Sequence, residues 1–372
     1  MFDAVPRLPA LLREHLLPDD EVGEASAATL VRRAAAHGVV AWTHDLALAE
    51  GWPNPLIDPL AQARRAMARH ALHLAHTLRA LTLACDTSGV PMLTMKGVAL
   101  STALHGDMAR RGTRDLDVLV PPAALGVVAG LLQDMAFTPD APWRGWTYDD
   151  FASKAHTYHE FAFHGPAGVT VEVHTHLTAR FISATVPFDE LWARRQPVRV
   201  AGTEVGMMSW SDTWLHLATH GFRHAWERLV WVSDIAHLMA RPDVDWADVQ
   251  NLARRRRGRV AVEAAALVAH DLLGAPLPET GPAWPSRRAR HAAAAVTTRV
   301  RNGRLHPSGT TMLRDHWRSR DSTLEAMGYL WRVATTMTPA DCVAPETWPP
   351  TATTRWVRRP VRLVRRYVLR AG

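Results

Sequence analysis

Residues 92–120 read MLTMKGVALSTALHGDMARRGTRDLDVLV. The pattern predicts a strand, a turn at Lys96-Gly97, a helix, an arginine-rich loop and a second strand carrying Asp115 and Asp117. Successive side chains on a strand point to opposite faces, so residues two apart share one. Asp115 and Asp117 therefore project together, while Leu116, Val118 and Val120 pack the other way. Two neighbouring carboxylates repel each other unless a cation lies between them. Mg2+, a hard cation that takes carboxylate and phosphate oxygens, meets that need and points to metal-dependent phosphoryl transfer.

The stretches on either side extend this reading. Val90–Met95 is expected as the first strand and Asp115–Val120 as the second, stopped by Pro121-Pro122. Residues 123–137, AALGVVAGLLQDMAF, then read as a helix. Residues 160–177, EFAFHGPAGVTVEVHTHL, read as a hairpin around Gly165-Pro166-Ala167-Gly168. In its second strand Val169, Val171 and Val173 alternate with Thr170, Glu172 and His174, so the polar face holds a third carboxylate. Two-metal phosphoryl transfer needs this set: two acids to hold ions that bridge the phosphates, and a third to complete a metal site and take a proton from the attacking hydroxyl. At the Gly97 turn, backbone N–H groups face a phosphate at a helix N-terminus. Lys96 adds a point charge, and Arg110, Arg111 and Arg114 are available to neutralise a triphosphate. D-x-D by itself is weak, since surface strands often carry two acids; the ordered set is more specific. His174 is read as lining the site or satisfying a hydrogen bond at the strand end.

The flanks are helical in pattern. Three regions are expected: N-terminal helices over 1–89, a core over 90–208 and C-terminal helices over 209–372. The fold class is α+β, a small mixed β-sheet between helical regions. Asp58 before Pro59 is a candidate N-cap for the long helix that closes the first region at Gly89. Its histidines, His70, His73 and His76, read as surface or packing residues. Two linked helices are expected after Trp210, a loop over 279–290 and a basic, apolar helix at the C-terminus. His216, His220 and His224 are spaced by four and form one helical stripe. The stripe lacks zinc-ligand spacing, so its imidazoles either face a nucleotide or pack and cap. Asp234 is a candidate partner of Arg228.

With 372 residues and an apolar fraction of 47%, the chain has the makings of a large core. Its longest apolar runs fall short of the roughly 18 residues of a membrane span. The first twenty residues lack the layout of a signal peptide. Cys85 and Cys342 cannot build a disulfide framework, which points to the cytoplasm. The net charge of +7 is concentrated in RRRRGR at 254–259, SRRAR at 286–290 and RRPVRLVRRYVLR at 358–370. Such runs suit nucleotide, nucleic acid or anionic membrane, or are simply solvated surface.

LTMKGVALSTALHGD at 93–107, RGTRDLDVLV at 111–120 and VTVEVHTHL at 169–177 resemble the nucleotidyltransferases of the DNA polymerase β-like superfamily. Together with residues 215–239 and the C-terminal TPADCVAPETWPP and RPVRLVRRY segments, they are similar to an uncharacterised bacterial nucleotidyltransferase family found beside peptide natural-product gene clusters, including some for lasso peptides. The resemblance implies Mg2+ on Asp115 and Asp117, Glu172 in the third-carboxylate position, a nucleoside triphosphate donor such as ATP, and release of pyrophosphate. It favours a small-molecule or peptide acceptor over nucleic acid. A tRNA-like acceptor and a non-catalytic nucleotide-binding partner protein stay open as alternatives. Lys96, Gly97, Arg111, Arg114, His174, His220 and His224 are the candidate nucleotide contacts.

Overall fold

A computed structural model describes residues 2, 4–17, 24–156, 158–179, 182, 184–278, 284–304 and 307–336. Four helices come first: α1 (Leu8–Leu16), α2 (Glu24–His37), α3 (Val40–Ala49) and α4 (Asn54–Thr87). The central part runs β1 (Leu93–Thr94), α5 (Gly97–His105), β2 (Leu116–Leu119), α6 (Leu125–Asp134), β3 (Thr138–Pro139), α7 (Tyr148–Lys154), β4 (Glu160–His164), β5 (Thr170–His174), α8 (Phe188–Ala193), β6 (Gln196–Val200) and β7 (Thr203–Met207). Helices follow: α9 (Trp210–Arg223), α10 (Leu229–Met239), α11 (Trp246–Arg255), α12 (Arg259–Leu273), α13 (Arg287–Arg301), α14 (Gly309–Arg318) and α15 (Thr323–Thr335). The architecture is α+β, with a small mixed sheet flanked by helices. The C-terminal basic helix expected from sequence, the PETWPP segment and Cys342 lie outside the described residues.

The strands are ordered β3-β4-β5-β2-β1-β7-β6. β2 runs parallel to β5, with Asp117 opposite Glu172 and Leu119 opposite His174. β4 runs antiparallel to β5 and sets Glu160 opposite His174. Leu116, Val118, Phe161, Phe163, Val171 and Val173 are fully buried and anchor these registers, because a one-residue slip would turn every apolar side chain out of the core. The functional carboxylates thus stand on neighbouring central strands.

Several expected boundaries move. The first strand shrinks from Val90–Met95 to Leu93–Thr94, and Asp115 lies just before β2. Helix α4 begins at Asn54, not at Pro59, which lies inside it. Leu56 and Leu60 are buried in the core, and that packing carries the helix through a position where proline removes one backbone bond. The expected loop over 279–290 gives way to α13 from Arg287; the Ser286 side chain accepts from the Ala289 N–H, and Ala289, Ala292 and Ala293 are buried. The hairpin of β6 and β7 was not foreseen.

The N-terminal helices do more than cover the sheet. Gly112, in the arginine-rich loop, donates its N–H to the Gly38 carbonyl at 3.1 Å. A Cβ on Gly112 would lie 2.7 Å from the Gly38 Cα, a backbone atom that cannot swing aside. The Arg111 N–H also donates to Ser101 Oγ at 3.1 Å, which ties the loop to α5. Gly112→Ala is therefore expected to destabilise the fold by about 1–3 kcal/mol. A urea midpoint equal to that of the wild type would refute the close approach.

Candidate active site

The Gly97 turn comes first. Gly97 has φ +73°, a left-handed conformation that a side chain disfavours, and α5 starts there. The turn points Lys96 back under the sheet edge, with its Nζ 3.0 Å from Asp117 Oδ1. His174 Nε2 approaches the same oxygen at 3.3 Å and Glu172 Oε2 at 3.8 Å. Asp115, Asp117, Glu172 and Glu160 line one cleft with Lys96 and His174.

Electrostatics follow from this crowding. Burial would raise the Asp117 carboxyl, but the Lys96 ammonium and the His174 hydrogen bond hold it well below the usual range. Burial pushes Asp115 up, and the Asp117 charge adds to that. Burial likewise pushes Glu172 up, with Asp117, Glu160 and Asp115 adding repulsion against the His174 hydrogen bond. Burial opposes charge on His174, yet its carboxylate partners lift it to about 10. The same partners outweigh burial at Lys96 and raise its ammonium.

The cluster fits a divalent cation. Asp117 Oδ2 is buried and has no hydrogen-bond partner among the described residues, so one carboxylate lone-pair site awaits a cation or donor. Ligand atoms of Asp117, Glu172 and His174 lie within 4.8 Å of one another. Sequence reasoning grouped Asp115, Asp117 and Glu172. The structure draws His174 into the tight triad and leaves Asp115 beside it, because the parallel register brings β5 directly against β2.

The cleft also carries arginines. Arg111, Arg114, Arg223 and Arg228 line it. Arg111 Nε donates to both oxygens of Asp234, at 3.0 and 2.9 Å, so Arg111, not Arg228, is the direct partner of Asp234. Burial, then repulsion from Arg114 and Arg111, pushes Arg228 down to about 10. Arg110 departs from its expected place: it turns to Asp45, over the Trp42 ring, and does not line the cleft.

The helical stripe forms a wall. His216, His220 and His224 all line the cleft, and Trp231 of α10 packs edge-on to His220 with ring centroids 5.0 Å apart. Burial, helped by the Lys96 charge, pushes His216 down to about 3. Burial and Arg223 do the same for His224. Burial and Lys96 hold His220 well below its ordinary value. These imidazoles are neutral at ordinary pH.

Residues 23–274, roughly two thirds of the chain, match the model of a family described as uncharacterised nucleotidyltransferase. The chain belongs to this family. No curated protein matches it. Among solved structures, the chain is similar to an antigenic nucleotidyltransferase-like protein from Paracoccidioides brasiliensis, at 16% identity over 51% of this chain and 91% of that one. The TM-score is 0.30, and that likeness carries no argument. The family, the mixed sheet and the acid cluster together make a polymerase-β-like nucleotidyltransferase architecture with a candidate metal-binding triad.

In this nucleotidyltransferase the cleft gathers Lys96, Arg111, Arg114, Asp115, Asp117, Glu172, His174, His220 and His224. Gly97 shapes the turn without lining the cleft. Sequence reasoning missed Glu160, Arg223 and Trp231 as cleft residues. A turn at 165–168 pairs residue 160 with residue 173; the observed pairing is offset by one and sets Glu160 across from His174, so the sequence did not signal it. Nothing local marked Arg223 or Trp231, which reach the cleft through helix packing.

Buried histidines outside the cleft give the protein an acid limit. Burial, with His237 and Arg110 nearby, pushes His105 down to about 3, and burial beside Arg320 holds His316 well below its ordinary value. Folded pKa values below the unfolded one mean the unfolded chain takes up the protons. The contribution is complete above pH ~6.5 and falls as pH drops below it. The pair is expected to cost about 2–3 kcal/mol per pH unit below that point. Urea midpoints between pH 7.5 and 5 measure this, and a flat profile would contradict it.

Proposed function

We infer that this protein is a Mg2+-dependent nucleotidyltransferase. It moves a nucleoside monophosphate from a nucleoside triphosphate, ATP first among candidates, to a hydroxyl or phosphate of a small molecule or natural-product peptide. Pyrophosphate is the second product. The carrying observation is a single cleft lined by both a carboxylate cluster and Arg111, Arg114 and Arg228. Carboxylates to hold a cation and arginines to meet phosphate oxygens are the complement of a metal–triphosphate.

In this reading Asp115, Asp117 and Glu172 hold two metal ions, with His174 beside Asp117. When bound, the metal would neutralise phosphate charge and favour departure of pyrophosphate. The acceptor oxygen attacks the α-phosphorus, the bond from that phosphorus to the β-phosphate oxygen breaks, and pyrophosphate leaves. Glu172 takes the proton of an acceptor hydroxyl. Lys96, Arg111 and Arg114 orient the phosphates.

Part of the basic run at 254–259 is engaged locally. Arg256 is paired with Glu190, Arg257 lies 3.4 Å from Glu325 and Arg259 lies 3.8 Å from Glu263. No helix among the described residues is long and apolar enough to cross a membrane. A cytoplasmic enzyme of peptide natural-product tailoring is the setting this reading favours.

Purified protein with α-labelled ATP, Mg2+ and a panel of hydroxylated small molecules and peptides tests the proposal. Labelled acceptor and pyrophosphate should appear together. Folded protein that releases no pyrophosphate across the panel would sink it, and transfer to tRNA alone would move the acceptor to nucleic acid.

A further inference from the structure

One wall of the cleft is built from imidazoles, three of whose ring nitrogens have no hydrogen-bond partner among the described residues. Neither Nδ1 nor Nε2 of His216 has a hydrogen-bond partner among the described residues, nor has Nε2 of His220. His216 is 5% exposed, and both residues line the cleft. Buried polar atoms are nearly always paired, so orphaned atoms on residues that line a cleft point to a ligand's place.

The chemistry of that ligand can be read further. A neutral imidazole carries one N–H donor and one lone pair. Phosphate oxygens held by arginines accept hydrogen bonds and have no proton to give. A triphosphate can therefore satisfy the N–H of His216 but not its lone pair. The lone pair requires an O–H or N–H group, such as a sugar hydroxyl or a nucleobase amino group.

Trp231 adds an aromatic surface to the wall. Its ring centroid lies 5.0 Å from that of His220 and 5.4 Å from that of His224, and the Arg228 guanidinium carbon lies 5.7 Å from it. The wall thus begins at His216, which feels the charges of Lys96 and Asp117, and ends at Arg228. It flanks the cleft from the carboxylates to the arginines. The part of a nucleotide that is joined to the phosphates and carries hydroxyl, amino and aromatic groups is its nucleoside.

We propose that His216, His220 and Trp231 recognise the nucleoside of the donor nucleotide, with His216 donating to one of its oxygen or ring-nitrogen acceptors and accepting from one of its hydroxyl or amino groups. The proposal rests on reading the cleft as a nucleotidyl-transfer site. The full chain with Mg2+ is titrated calorimetrically with tripolyphosphate and with ATP, GTP, CTP and UTP. At least one triphosphate should bind roughly tenfold tighter than tripolyphosphate. His216→Phe should remove most of that advantage and leave tripolyphosphate binding unchanged. His220→Phe should do so in part.

His216→Phe in the ligand-free protein should unfold at the same temperature or a higher one, because it deletes two orphaned polar atoms. A residue that merely supports the fold would instead lower the unfolding temperature and weaken both probes together. An advantage that survives both substitutions overturns the proposal. So does loss of turnover at unchanged nucleotide affinity, which would give the wall to the acceptor. If tripolyphosphate binds but no nucleotide binds more tightly, the wall assignment fails alone. If neither binds the wild type, the transfer reading falls with it.

Discussion

Asp117→Ala is expected to lower nucleotide transfer by at least about 10³-fold, since removing a metal-holding carboxylate forfeits several kcal/mol of charge stabilisation. It should also destabilise the protein. Asp117 is fully buried and is the shared partner of Lys96 and His174. Without it, two cationic groups remain in the interior with weaker compensation. Breaking a buried pair by removing one partner costs about 3–5 kcal/mol. Asp117→Asn separates the two effects. Its amide oxygen still accepts from Lys96, so less stability is lost, while transfer stays low. Initial rates of pyrophosphate release and urea midpoints, taken on both variants, decide the matter. Alanine turnover near that of the wild type would remove Asp117 from the reaction. An unchanged midpoint would contradict its role as the buried counter-ion.

Arg111→Leu has the second large expected effect, and it falls mainly on folding. Asp234 on α10 is fully buried, and Arg111 Nε contacts both of its oxygens. Burial already pushes the Asp234 carboxyl up, with Arg111 as the main opposing charge. Loss of the guanidinium leaves an uncompensated buried carboxylate, at about 3–5 kcal/mol. Arg111→Leu with Asp234→Leu should recover much of that loss, because replacing both partners removes the stranded charge. Nucleotide affinity should fall in the single and in the double variant, since Arg111 also lines the cleft. A double variant no more stable than the single would show that the ion pair is not the cause.

The two predictions divide along the line between local and distant information. Strand alternation alone placed Asp115 and Asp117 on one side and Glu172 on the polar face of its hairpin. A period of two is a property of the backbone and needs no partner. The Lys96-Gly97 turn was legible for a similar reason, since glycine supplies the left-handed φ that starts α5. The β6–β7 hairpin was missed although Ala201-Gly202 marks its turn; its strands are only five residues each, and Pro197 and Gly206 interrupt the pattern.

Sequence by itself determined the α+β class, the order of strand, turn, helix and strand, and the acidic identity of the site, because each follows from spacings of a few residues. Tertiary structure decided which cations meet those acids. His174 joins Asp117 only through the parallel pairing of β2 with β5, and Arg111 meets Asp234 across 123 residues of chain. Arg223, Arg228 and the imidazole wall reach the cleft only when α9 and α10 pack beside the sheet. Those approaches are set by burial of Leu215, Phe222, Val230 and Ile235 in a core assembled from distant segments. Backbone periodicity fixes which way a side chain points; only the closing of that apolar core determines what it points at.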